Sequence, residues 1–116
     1  MDYKTARILL IDQGTASDQN PDAFLIRLKN FQPPIPGEVT NILLALKMLF
    51  ESLQGETSLD RELAYALYQL AYESRQSFAA GRLAGINWPP LLDEDIQRIA
   101  IAVKSILAGV WQEQSN

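Results

Sequence analysis

Apolar residues recur at three- and four-residue steps in several stretches of the chain, and glycine or proline punctuates the gaps between them. The strongest stretch follows Phe31-Gln32-Pro33-Pro34-Ile35-Pro36-Gly37. There Val39, Ile42, Leu43, Leu46, Leu49, Phe50 and Leu53 fall on one helical face, and Gly55 supplies a stop. Burying each large side chain of that face is worth roughly 1.5–3 kcal/mol, so it is the expected centre of the core.

The flanking pattern predicts more helices. Residues 3–13 place Tyr3, Ala6, Leu10 and Ile11 together, with Gly14 as the stop before a polar loop at 14–19. Asn20 is the expected cap of a short helix that has Pro21 at its first position and Phe24, Leu25 and Leu28 buried. Thr57 and Asp60 have capping-box spacing ahead of a long helix over 59–80, which ends at Gly81 or Gly85. Leu59, Leu63, Leu67, Leu70 and Phe78 form its apolar row. A last helix over 94–108 takes Asp93 as its cap and Ile96, Ile99, Ala100, Val103, Ile106, Leu107 and Val110 as its core stripe. Alternating runs and Asn-Gly hairpins, the signs of strands, do not occur. The fold class is therefore all-α: a compact bundle of about five helices in a single helical domain.

The two halves, 1–56 and 57–116, resemble each other. Phe31-Gln32-Pro33-Pro34-Ile35 matches Trp88-Pro89-Pro90-Leu91, and a shift of 57 residues lays Glu38-Val39 on Asp95-Ile96 and Lys47 on Lys104. A duplication and a pseudo-twofold packing follow as an expectation. The aromatic at each proline turn, Phe31 or Trp88, is expected to tuck into the core.

Composition narrows the chemistry. The chain has 116 residues, 47% hydrophobic and 21% charged, which suits one globular domain. Its net charge of −4 and pI near 4.7 argue against nucleic acid and anionic membranes as partners. The polar start Met1-Asp2-Tyr3-Lys4 does not read as a signal peptide, and a cytoplasmic location is expected. With no cysteine and no histidine, thiol catalysis, a Ser-His-Asp triad and the usual zinc ligand sets are excluded. No cofactor is expected. Gly14-Thr15 and Gly55-Glu56-Thr57 lack the spacing and lysine of a phosphate loop. Pro33-Pro34-Ile35-Pro36 has polyproline-motif spacing but reads better as a rigid turn. Asp93-Glu94-Asp95 holds magnesium-type ligands but suits the start of a helix without any metal.

The long helix carries the one distinctive feature. Tyr65, Tyr68 and Tyr72, with Arg61 beside them, lie opposite the Leu63/Leu67/Leu70 row. Glu62, Gln69 and Glu73 mark a wet flank. Tyrosine is enriched at interfaces because its ring is apolar and its tip polar. Leu44 and Met48 interrupt the polar stripe of the third helix, and Ile101 stands between Gln97 and Lys104 on the last. Two readings compete: another element of the same domain covers these residues, or they form an interface. The interface reading makes the protein an interaction module that binds a second copy as a homodimer, or another protein partner. The alternative is a small-ligand-binding protein or enzyme with a cleft between helices, anchored by Arg61, Arg75 or Asp60.

The strings Asp2-Tyr3-Lys4-Thr5-Ala6-Arg7, Asp12-Gln13-Gly14, Pro33-Pro34-Ile35-Pro36-Gly37, Leu59-Asp60-Arg61-Glu62-Leu63-Ala64 and Trp88-Pro89-Pro90-Leu91-Leu92 resemble a family of short uncharacterised cyanobacterial proteins. The resemblance covers nearly the whole chain. It implies a cyanobacterial cytoplasm and brings no known activity. Some relatives carry a dethiobiotin synthetase label, but that family binds ATP through a phosphate loop on an α/β sheet. This sequence offers neither, so the label does not transfer.

Overall fold

The computed structural model describes residues 1–15 and 20–112. The described residues form five helices and no strand. These are α1 (Tyr3–Gly14), α2 (Phe24–Lys29), α3 (Glu38–Ser52), a long α4 and α5 (Leu92–Ala108). Helix α4 runs as an α-helix over Arg61–Tyr68, passes through a π-helical turn at Gln69–Glu73, and resumes as an α-helix over Ser74–Leu83. Positions 16–19 of the expected polar loop lie outside the described residues.

Side chains satisfy first backbone donors of α1, α2 and α4, whereas α3 and α5 open without a side-chain cap. The Asp2 carboxylate accepts from the Thr5 N–H at 2.8 Å and caps α1. The short helix starts later than its proline indicated. Asn20 closes a turn by accepting from the Asp22 and Ala23 N–H groups, and α2 begins at Phe24. Its first N–H is taken by the Gln13 side chain at 2.6 Å, which is why a polar residue of α1 is buried. Asp60, not Thr57, caps α4, accepting from the Glu62 N–H at 3.2 Å. Helix α5 opens at Leu92, and Asp93 is not its cap. That carboxylate faces Arg75 at 2.6 Å and Arg82 at 3.5 Å instead.

Helix α3 packs against α1 and α5, and these two stand between it and α4. One core draws on every helix, with Leu10, Phe24, Ile42, Leu46, Leu49, Leu63, Leu67, Leu70, Ile96 and Ile99 fully buried. Two glycines allow close approach. A Cβ on Gly14 would lie 2.7 Å from the Ala66 carbonyl oxygen, so α1 can cross α4 only with glycine there. A Cβ on Gly81 would come within 2.8 Å of Trp88 Cε2 and Nε1. Gly81 therefore lies inside α4 as the seat of that indole, and the helix stops before Gly85, whose φ is +87°.

Some apolar expectations fail at the edges. Leu107 and Val110, assigned to the core stripe of α5, are exposed: Leu107 follows the buried Ser105 and Ile106 but turns to the outer side of the helix, and Val110 falls beyond its end at Ala108. Gln69, assigned to a wet flank, is buried, because the π-helical turn packs against α5. At the two proline turns Trp88 enters the core, whereas Phe31 stays exposed with φ +59°. Helices α3 and α5, the matched pair of the proposed repeat, do pack together, but their entries are built differently.

Candidate functional site

The outward face of α4 is the first candidate. Tyr65, Tyr68 and Tyr72 are 56%, 51% and 47% exposed, while Leu63, Leu67 and Leu70 on the opposite side are fully buried. No other segment of the described chain encloses the three rings. Tyr68 and Tyr72, one turn apart, stack at 5.3 Å between centroids and 14° between planes. Offset stacking holds such rings side by side as one flat apolar surface. Arg61 is exposed at the start of the same helix.

The aliphatic residues grouped with the tyrosines lie elsewhere. Leu44 is 58% exposed, but on α3, which is separated from α4 by α1 and α5. The outward faces of α3 and α4 both point away from their shared core, so Leu44 does not extend the tyrosine row. Met48 is half-buried against the core cluster and accepts from the Ser52 hydroxyl at 3.5 Å. Ile101 is half-buried and lines a groove between α3 and α5. Of the expected interface, the Tyr65/Tyr68/Tyr72 face with Leu44, Met48 or Ile101 nearby, the tyrosines and Arg61 thus stay together on α4, while Leu44 and Met48 lie on α3 and Ile101 on α5. Helix periodicity gives the direction of a side chain about its own axis and nothing about how helices are arranged.

The polar anchors of the alternative reading do not converge either. Asp60 is tied to Arg7, whose Nε donates at 2.6 Å, and Glu62 stands beside the pair at 3.3 Å. The Arg7 guanidinium holds the Asp60 carboxyl below its ordinary range, and Asp60 in turn raises the arginine. Both ends are exposed enough that this clamp between α1 and α4 is mainly positional. Arg75 belongs to the far segment of α4, where its hydrogen bond holds the Asp93 carboxyl low, with Arg82 adding to the effect. Both guanidinium groups also lie near the Phe78 ring, at 5.4 and 4.6 Å. Burial pushes the Glu38 carboxyl up, although Gln13 counters it. Among the described residues no group of three or more acidic side chains is arranged to hold a metal ion.

Sequence reasoning missed the groove between α3 and α5. It has a volume of about 510 Å³ and is walled by Leu43, Ile101 and Ala102, with Trp111 and Gln112 closing one end. The chain reverses after α5 at Gly109, φ +76°, and the Gln112 N–H donates to the Ser105 hydroxyl at 2.8 Å. This lays Trp111 edge-on to Phe50, with 5.1 Å between centroids. Lys47 and Arg98 stand at the rim. The available signal was the tryptophan just beyond the last helix, too far past its apolar stripe to continue it.

No family model, curated protein or solved structure matches the chain. Among the described residues no helix is long and apolar enough to cross a membrane.

Proposed function

We propose that the protein is an interaction module that associates with a second copy of itself through the Tyr65/Tyr68/Tyr72 face of α4. The observation that supports this most is the stacked, half-exposed Tyr68–Tyr72 pair on the side of α4 turned away from the core. Tyrosines present a large apolar area with few rotatable bonds, so ordering them at a contact costs little. A twofold pairing would set each row against its own copy, the usual arrangement in homodimers. The row occupies only a few turns of one helix. The contact therefore falls toward the small end of the interface scale, roughly 600–800 Å² per partner, and dissociation in the micromolar range follows.

The setting of the proposal is a cyanobacterial cytoplasm, which rests on the family resemblance alone. The partner is a protein rather than nucleic acid or membrane, in keeping with the net charge of −4.

Light scattering from about 1 to 100 μM tests the reading across the expected dissociation range. The expected result is a mass that rises with concentration for the native chain and stays monomeric for Tyr68→Asp, with unchanged helical circular dichroism. A native chain that stays monomeric throughout overturns it.

A further inference from the structure

We propose that the groove between α3 and α5 binds a small carboxylate with an apolar body, such as a medium-chain fatty acid. The site is separate from the tyrosine face and stands or falls without it.

The groove is the right size and composition. At about 510 Å³ it lies within the usual range for small-molecule sites, and its walls are mostly apolar. Leu43 on α3 faces Ile101 and Ala102 on α5, and the Trp111 indole forms the end wall. A chain of methylene groups could lie along this open trough with one side against its apolar walls.

The rim supplies the charge. The Lys47 ammonium lies 4.0 Å from the Trp111 ring centroid and 5.6 Å from that of Phe50. Among the described residues no carboxylate pairs with it. Arg98 stands at the same rim, held by Asp95 at 2.9 Å and Glu94 at 3.6 Å. Its own charge is largely satisfied, so it orients the mouth while Lys47 takes the anion. An ammonium that rests on an indole above an apolar trough, with no carboxylate partner among the described residues, suits an anionic head on an apolar tail.

The chain's two tryptophans provide the test. Octanoate is titrated into the isotopically labelled protein, and the two indole N–H signals are followed by NMR, with Trp111→Phe assigning them. The Trp111 signal is expected to shift saturably, with a dissociation constant on the order of 0.1 mM for a ligand of this size. The Trp88 signal, deep in the core, should stay in place. 1-Octanol, equal in length but neutral, should bind at least about tenfold more weakly, as should octanoate to Lys47→Met. The absence of a saturable Trp111 shift overturns the proposal, and so does equal binding of octanol and octanoate. Lys47 is exposed, so the substitution should fold; if it does not, the comparison of acid with alcohol on the native chain still decides.

Discussion

Phe31 and Trp88 sit at the heads of two proline turns with nearly the same residues, and they end in opposite environments. Trp88 lies against Gly81, stacks on Phe78 with centroids 5.9 Å apart, and donates its indole N–H to the Phe78 carbonyl at 3.0 Å. Phe31 is exposed and strained into positive φ. The difference lies in the helix before each turn. Helix α4 has a glycine on the face that receives the ring, whereas α2 is only six residues long and presents none. The ties differ as well. Arg27 holds the first turn through the uncharged Pro33 carbonyl at 2.7 Å, while Arg75 and Arg82 hold the second through the Asp93 carboxylate. A repeated motif fixes the path of the backbone; the surface behind it decides whether the aromatic has somewhere to go.

That contrast can be broken from its strong side first. Trp88→Ala should destabilise by about 3–5 kcal/mol, the usual result of emptying a large aromatic site. Urea unfolding followed by circular dichroism would measure it. A loss under about 1 kcal/mol would make Trp88 no more anchored than Phe31. Gly81→Ala attacks the same contact from the other partner. It should cost about 1–3 kcal/mol through overpacking, visible as a lower urea midpoint with an unchanged slope. At the weak turn the effect should be smaller: Phe31→Gly relieves a left-handed backbone but gives up the covered part of a ring that is 39% exposed, so stability should change by about 1 kcal/mol or less.

The smallest effect separates the two arginine ties. Arg75 holds the Asp93 carboxyl below its ordinary 3.8, so the charged pair contributes above that pH. The contribution disappears as the pH falls through the lowered value. Asp93→Asn should therefore cost under about 1 kcal/mol at pH 7, and the gap to the native protein should close in strong acid. Arg27 donates to the uncharged Pro33 carbonyl but also meets the Asp22 carboxylate at 3.2 Å, so Arg27→Ala compared within an Asp22→Asn background should not reproduce that closing. Stability measured across an acid series would show whether the two turns respond differently.

The apolar rows were readable because each helix must bury one face. Ile42, Leu46 and Leu49, Leu63, Leu67 and Leu70, and Ile96, Ile99 and Val103 all occupy the interior as their spacing required. The exposed tyrosines were readable for the same reason, since they stand opposite such a row. What escaped depended on neighbours. Gln13 looked like one more polar residue of α1 until α2 offered it an N–H to accept. Asp93 looked like a cap until Arg75 approached from 18 positions away. Gly81 looked like a terminator because nothing local indicates that an indole will rest on it. The α3–α5 groove was hidden because Trp111 returns across a helix some sixty positions earlier in the chain, a relation that no periodicity encodes.

The π-helical turn at Gln69–Glu73 spends more residues per revolution than the α-helix on either side. Read at a constant α-helical step, Leu63, Leu67, Leu70, Ser74 and Gly81 would line up along a single edge. The widened turn swivels the far half of the rod. The near half accordingly faces α1, and the far half faces α2 and the Trp88 ring. One surplus position thus works as a clutch between two partners on a single axle. Deleting a residue there would shorten the rod only slightly, yet it would reassign which neighbour the second half engages.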